Sequence, residues 1–333
     1  MTSVFVTHPR DKLGLYFGAR ATQALQAIAQ VRFNPEAHEL SVAELAIAAS
    51  GCEALIAYRQ TPAPRALFDA LPGLKAFMRC AVDVRSVDIE AASAHGVLVT
   101  QTSAGYVPAV CEWIVAAMVN LGRGLHRYAE AHHRGQPLAP FMGRELRGAV
   151  LGVIGFGQIG QRLAEIARAF GMRVLVTTPA PVAAQEGVRQ VPFATLLAES
   201  DFVVCLAAAN AQTDKLMNAA AFTALKPGAF FINASRGEMV DDDALLHALN
   251  SGRLAGCALD VGRAPDQLPA SELAQHPLVL ATPHIGGLTL AAVEHQALET
   301  VAQLSALMGG ALPAGAVNAA QATRWQRWGD NRP

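Results

Sequence analysis

Short runs of consecutive apolar residues punctuate the chain, separated by stretches in which apolar residues recur at helical spacing. Before residue 105, runs at Ala54–Tyr58, Ala76–Met78 and Val97–Thr100 alternate with alanine-rich stretches at Ala19–Gln30 and Val42–Ala49. That alternation predicts a small α/β unit with a parallel sheet. A long apolar-faced segment, Pro108–Leu125, follows, its proline suited to a first helical turn. From there to about residue 285, six runs are bounded by Gly, Pro, Asp or Asn: Ala149–Ile154, Arg173–Thr177, Phe202–Leu206, Ala229–Asn233, Gly256–Val261 and Leu278–Ala281. Continuous rather than alternating runs belong to strands covered by helices on both faces. Six of them predict one doubly wound parallel sheet. Thr289–Met308 reads as a further helix, and Trp325 and Trp328 in the polar tail are expected to pack on a neighbouring surface.

Composition narrows the functional classes. With 333 residues, 52% of them hydrophobic, the chain has material for two domains with large cores. Its 26 basic residues are balanced by 27 acidic ones, so neither nucleic acid nor an anionic membrane is an expected partner. Val107–Leu121 contains Glu112 and Asn120 and falls short of the roughly 20 apolar residues a membrane span needs. No basic-then-apolar leader opens the chain, and a soluble cytoplasmic protein is expected. The widely spaced Cys52, Cys80, Cys111, Cys205 and Cys257 fit neither a metal site nor a disulfide framework and read as small buried residues. His132 and His133 read as solvated loop residues, so no metal is expected.

The first chemistry lies after the run ending at Ile154. Gly155-Phe156-Gly157-Gln158-Ile159-Gly160 follows it directly, and Ile159, Leu163, Ile166 and Phe170 continue at helical spacing. A strand, a GxGxxG turn and a helix in that order form a dinucleotide site. Gly155 allows the tight turn, Gly157 lets a pyrophosphate approach the backbone, and Gly160 lets the helix pack closely. The next strand should end in an acid that binds the ribose 2′-hydroxyl and repels a 2′-phosphate. Thr178, 23 positions past Gly155, stands there instead. It bonds either group and repels neither, so NAD and NADP both remain open.

Four further stretches carry a resemblance: Glu145-Leu146-Arg147-Gly148, Ile232-Asn233-Ala234-Ser235-Arg236-Gly237, Ala258-Leu259-Asp260-Val261 and Thr282-Pro283-His284-Ile285-Gly286-Gly287. With the glycine turn, and in this order between Leu74 and Asn318, they resemble the D-isomer-specific 2-hydroxyacid dehydrogenase family. The resemblance implies a Rossmann cofactor domain, residues 105–287, inserted into a smaller flavodoxin-like α/β substrate domain built from residues 1–104 and 288–333, in a homodimer. It assigns Arg236 to the substrate's carboxylate and carbonyl, His284 to acid/base catalysis and Asp260 to the nicotinamide carboxamide. It adds Ala208, Asn210, Ala234, Ser235, Gly286 and Gly287 to the cofactor contacts, and Val82, Asp83 and Tyr106 to the substrate contacts.

Residue chemistry agrees with that assignment. A planar guanidinium can fork onto the oxygens of a 2-oxo acid and stabilise developing alkoxide charge. Histidine titrates near neutrality and can deliver the proton the new hydroxyl requires. Two departures stand out. The family's carboxylate partner for the histidine, a Glu five residues beyond the Asp of the LDV motif, is Pro265 here. Asp266, one position later, is a candidate replacement if Gly262 bends the loop. The family's Gly-x-Gly substrate loop is replaced by Ala81-Val82-Asp83. Asp83 would either repel an anionic substrate or be turned away onto Arg79 or Arg85. A dinucleotide-sensing binding protein or co-regulator on the same fold is the competing expectation, although it would need neither Arg236 nor His284.

Overall fold

The computed structural model describes residues 1–264 and 267–328. They divide into two compact units, Met1–Tyr106 with the chain from Thr289 onward, and Val107–Leu288.

Unit 1 is built on five parallel strands, β1 (Ser3–Val6), β2 (Gln30–Phe33), β3 (Ala54–Ala57), β4 (Ala76–Arg79) and β5 (Leu98–Thr100). Their order, β2-β1-β3-β4-β5, is the flavodoxin-like one. β3, β4 and β5 are buried at every position, which is why they appear as unbroken apolar runs. β2 is an edge strand with alternately exposed positions, and its first residue, Gln30, was expected to close the preceding helix. That helix ends at Ile28, where the backbone of Ala29 turns extended. On one sheet face Val4, Ile56 and Met78 pack with Ala297, Leu304 and Leu307 of the helix Leu290–Met308; on the other, Phe5, Leu55 and Phe77 pack with Leu67 and Phe68. The C-terminal helix therefore completes the N-terminal sheet. Trp328 is buried in the same cluster and its indole N–H donates to Thr2 Oγ1 at 3.1 Å.

Unit 2 holds seven parallel strands: β6 (Val150–Ile154), β7 (Arg173–Thr177), β8 (Val188–Gln190), β9 (Phe202–Cys205), β10 (Ala229–Asn233), β11 (Leu254–Leu259) and β12 (Val279–Ala281). The order β12-β11-β10-β9-β6-β7-β8 is the doubly wound Rossmann arrangement extended by one strand. β8, a short and largely exposed edge, adds a seventh strand to the six apolar runs. The helix Val107–Arg123 leads into this unit and Gly124, at φ +64°, ends it. His132 and His133 are exposed, as expected, but close the helix Leu125–His133 instead of lying in a loop. All five thiols are buried, and burial pushes Cys80 and Cys205 up to about 12, Cys111 to about 11 and Cys257 well above the usual thiol value, so these four are not nucleophiles near neutral pH. Among the described residues no helix is long and apolar enough to cross a membrane.

The register of the second sheet positions everything that follows. Thr177 pairs with Ile154, Ile154 and Asn233 with Cys205, Asn233 with Leu259, and Leu259 with Ala281. These six residues form one row across the carboxyl end of the sheet. Because every strand is parallel, the loop after each emerges along the same edge.

Candidate active site

The glycine turn sits at the switch point of this edge, where β6 is flanked by β9 and β7. Gly155 has φ +91°, and a Cβ there would lie 2.6 Å from the backbone of Ala207, in the loop after β9. A Cβ on Gly160 would lie 2.7 Å from the carbonyl oxygen of Gly155. Both positions admit only glycine because backbone fills the space. Gly157 differs: a Cβ there would meet nothing within 4 Å, and no side chain caps the helix Gln158–Ala169 that starts beside it. Open space over a glycine, in front of uncapped helix amides, fits a dinucleotide pyrophosphate. Phe156 and Ile159 are half-buried, Gln158 exposed, and Gln161 Nε2 donates back to the carbonyl of Phe156 at 3.2 Å.

Thr178, half-buried, begins the loop after β7. Gln190 of β8 shapes that loop, donating to the carbonyls of Thr178 and Ala180 at 2.9 and 3.0 Å and accepting from the Val182 amide at 2.9 Å. Ala208 and Asn210 lie exposed in the loop after β9. The Asn210 side chain accepts from the Gln212 amide at 2.8 Å, and Thr213 Oγ1 donates to the Ala208 carbonyl at 2.8 Å, so that loop is braced by its own side chains.

Arg236 lies three residues beyond β10, and its turn is tied from behind. The buried Asn233 donates from Nδ2 to the Arg236 carbonyl at 2.9 Å and accepts from the Ser235 amide at 3.1 Å. Ser235 Oγ donates to the carbonyl of Ala207, joining the loops after β9 and β10, with Ala234 half-buried between them. The guanidinium of Arg236 is half-buried and donates to the Ser235 carbonyl at 2.8 Å. Beyond it, Gly237 lies against the next loop so closely that a Cβ would stand 1.9 Å from the carbonyl carbon of Gly262.

His284 occupies the left-handed region at φ +56°, a conformation that costs a non-glycine residue about 1–2 kcal/mol. Asp260, 4% exposed at the end of β11, holds the turn that imposes it. Asp260 Oδ1 accepts from Thr282 Oγ1 at 2.6 Å and from the Ile285 amide at 2.8 Å, while Oδ2 accepts from the Gly286 amide at 2.7 Å. A Cβ on Gly286 would lie 2.8 Å from Oδ2, so glycine is required for that approach. Gly287 is half-buried beside it. The resemblance assigned Asp260 to the nicotinamide carboxamide; in the structure the same carboxylate also takes these three bonds from the histidine turn. Gly262 packs against its own loop: a Cβ there would stand 1.9 Å from the Leu268 carbonyl oxygen, and its amide donates to the Gln267 carbonyl at 2.8 Å. Asp266 and Pro265 lie outside the described residues.

In unit 1 Asp83 is turned onto Arg85. Its carboxylate is engaged by Arg85, with Nη2 at 2.7 Å and Nε at 3.0 Å from Oδ2 and the Arg85 amide 2.9 Å from Oδ1. Arg79 is fully buried beneath the same loop and donates to the carbonyls of Tyr58 and Thr61 and to Ser86 Oγ. Burial lowers its guanidinium to about 10, which still leaves it charged at neutral pH. Val82 is half-buried in this loop and Tyr106 is the last residue of unit 1 before the chain crosses. Sequence reasoning missed the bracing roles of Asn233, Thr282 and Arg263. An asparagine ending a strand just before a turn was the one available signal, since its side chain bonds readily to backbone two or three residues on.

Known proteins are similar to this chain along most of its length. Residues 115–286 match the family model described as D-isomer specific 2-hydroxyacid dehydrogenase, NAD binding domain. Over 292 residues the chain is 33% identical to a glyoxylate reductase of Thermococcus onnurineus, covering 84% of this chain and 87% of that one. It is 33% identical over 287 residues to the chloroplastic D-3-phosphoglycerate dehydrogenase 3 of Arabidopsis thaliana, covering 85% of this chain and 49% of the relative. The chain thus spans about half the length of that relative. Among solved structures, the TT0316 protein of Thermus thermophilus superposes with a TM-score of 0.84 at 30% identity, over 95% of this chain and all of that one. A doubly wound unit with an open glycine turn, matched along its length by one family model, means that the chain belongs to the D-isomer specific 2-hydroxyacid dehydrogenase family.

Proposed function

We propose that the protein is an NAD(P)-dependent oxidoreductase that interconverts a small 2-oxo acid, of the glyoxylate or hydroxypyruvate kind, and its D-2-hydroxy acid. The observation that carries this is His284, held in a left-handed turn by a buried carboxylate on the sheet edge that also bears the glycine turn and Arg236. When bound, the nicotinamide supplies the hydride that the carbonyl carbon gains. Arg236 forks onto the carboxylate and carbonyl oxygens and stabilises the charge that grows on the latter. The His284 imidazolium gives its proton to that oxygen, so two electrons and two hydrogens reach the substrate and the histidine is left neutral. Asp266 is the proposed carboxylate partner of His284. Val82, Asp83 and Tyr106 are assigned to the substrate, with Arg85 neutralising the charge Asp83 would otherwise oppose to an anion. Ala208, Ala234, Ser235 and Gly287, along the cofactor edge, are assigned to the dinucleotide together with the glycine turn, Thr178 and Asn210.

A cytoplasmic homodimer is the proposed state. Leu125, Leu138, Phe141 and Met142 of unit 2 are exposed apolar side chains, Met142 at 97%, and support burial against a second copy. The function is tested by following NADH and NADPH absorbance with a panel of 2-oxo acids. Turnover is expected, with Arg236→Ala and His284→Ala each removing most of it. Tight cofactor binding with no turnover on any acid would instead select the sensing protein.

A further inference from the structure

We propose that residues 260–263 act as one jig for both catalytic side chains, with Arg263 the positioning residue for Arg236 as Asp260 is for the turn of His284. This rests on the function proposed above.

Arg263 leaves the loop after β11 and reaches two others. Its Nη1 donates to the carbonyls of Glu238 and Val240 at 2.8 and 3.1 Å, and its Nη2 donates to Asp214 Oδ1 at 2.9 Å. Glu238 lies in the single 3₁₀ turn, Gly237–Met239, that begins at Arg236, and no side chain caps that turn. Asn233 therefore fixes the Arg236 peptide from the strand side, and Arg263 fixes the turn beyond it. The fit is tight, since a Cβ on Gly237 would lie 2.2 Å from the Arg263 amide nitrogen. Asp214 is itself anchored, because the amide of its neighbour Lys215 donates to the same Glu238 carbonyl at 2.8 Å. Three post-strand loops thus converge on one guanidinium, which can serve them because it carries five donors in a rigid fork. Asp260, three residues earlier, takes three bonds from the turn of His284. The same short segment therefore sets where the substrate-binding arginine and the acid/base histidine stand.

The two ends of the jig should fail differently. Loosening Arg263 displaces Arg236, which contacts substrate in the ground state, so oxo-acid affinity should fall while the glycine turn keeps its cofactor. The test measures the oxo-acid KM and kcat, the dissociation constant of oxamate from the NADH complex and that of NADH, in wild type, Arg263→Gln, Arg263→Lys and Asp214→Asn. Arg263→Gln should raise the oxamate constant and the oxo-acid KM about tenfold or more, as a misplacement of about 1 Å can, and leave the NADH constant within about twofold. Arg263→Lys, which keeps the charge but not the fork, and Asp214→Asn, which keeps the arginine but loosens it, should shift oxamate binding in the same direction by less. They carry the test if Arg263→Gln does not fold. Unchanged oxamate binding in all three variants would overturn the assignment. So would NADH and oxamate affinities falling together, the mark of a general loosening, or a loss confined to dicarboxylate substrates, the mark of direct contact. A wild-type protein that binds NADH but neither oxamate nor any oxo acid would overturn the functional proposal itself.

Discussion

Asp260→Asn separates a clamp from a cofactor ligand. The carboxylate accepts three short bonds in a nearly fully buried site, and a bond to a charged acceptor is worth about 1.5–3 kcal/mol against about 0.5–1.5 for a neutral one. Asparagine has the same shape but one acceptor oxygen. Its oxygen is best placed toward Thr282 and Ile285, where two donors converge, which turns its NH₂ onto the Gly286 amide. That leaves one buried N–H unsatisfied, at about 1–3 kcal/mol, and weakens two other bonds by about 1 kcal/mol each. Relief from burying a carboxylate offsets part of this, for a net loss of about 2–4 kcal/mol. A left-handed histidine that already costs about 1–2 kcal/mol then has little to hold it. In a unit of this size, where each kcal/mol moves Tm by about 2–4 °C, the transition should drop by roughly 4–16 °C. A displacement of about 1 Å at His284 should lower kcat about a hundredfold with little change in oxo-acid KM. Steady-state NADH oxidation, cofactor titration and differential scanning fluorimetry report the three quantities. Near wild-type kcat and Tm would refute the clamp. An NADH dissociation constant raised tenfold with kcat intact would assign Asp260 to the cofactor instead.

Other perturbations follow from the same geometry. Gly157→Ala should leave Tm unchanged, since its Cβ meets nothing, yet weaken NADH binding at least tenfold, whereas Gly160→Ala should lower both Tm and binding; equal behaviour would remove the pyrophosphate from this turn. Thr178→Asp should shift the NADH/NADPH ratio of kcat/KM toward NADH by repelling a 2′-phosphate, and an unmoved ratio would put selectivity elsewhere. Burial lowers His8 to about 3, so only the unfolded chain takes up its proton as pH falls below about 6.5; by pH 5 this costs about 2 kcal/mol of stability. Unfolding free energies from urea titrations at pH 7.5 and 5 should differ by that much less in His8→Gln, and an equal difference would refute it. Asp266→Asn should lower the acidic-side pKa of the oxo-acid reduction profile, and an unchanged profile rejects Asp266 as the partner of His284.

What could be read from the chain follows burial. Strands covered on both faces, such as β9 and β10, show as unbroken apolar runs whose limits the structure moves by a residue at most, whereas β11 runs from Leu254 to Leu259, two residues earlier at each end than its apolar run, and the buried β1 is too short a run to stand out. The edge strands β2 and β8, Gln30–Phe33 and Val188–Gln190, expose alternate or most positions to water and so carry too little apolar signal. The site divides in the same way. Gly155, Arg236 and His284 stand out as candidates because their chemistry is local: a turn, a fork, a titratable ring. The bonds that brace their loops are not local, since Asp260 meets Gly286 across 26 positions and Arg263 meets Asp214 across 49. They depend on which loops a parallel sheet brings to one edge, which no local spacing encodes.

That edge also bears on the choice between an enzyme and a dinucleotide sensor. A cofactor turn alone asks only for Gly155, Gly157, Gly160 and uncapped helix amides, and a sensor could keep those while its other loops relaxed. Here the loops two, three and four strands away from β6 are under constraint as well: no Cβ is tolerated at Gly237 or Gly262, Gly286 admits none beside Asp260, and His284 is held at positive φ. The left-handed histidine costs stability, and none of these constraints touches the pyrophosphate site. Backbone strain survives where surrounding bonds over-determine it, and it gathers where a side chain must be aimed. The carboxylate of Asp260 supplies enough to offset a left-handed histidine, and Arg263 enough to hold an uncapped turn. A protein that only binds the dinucleotide has nothing to aim; one that must place a guanidinium and an imidazole about a single carbonyl does.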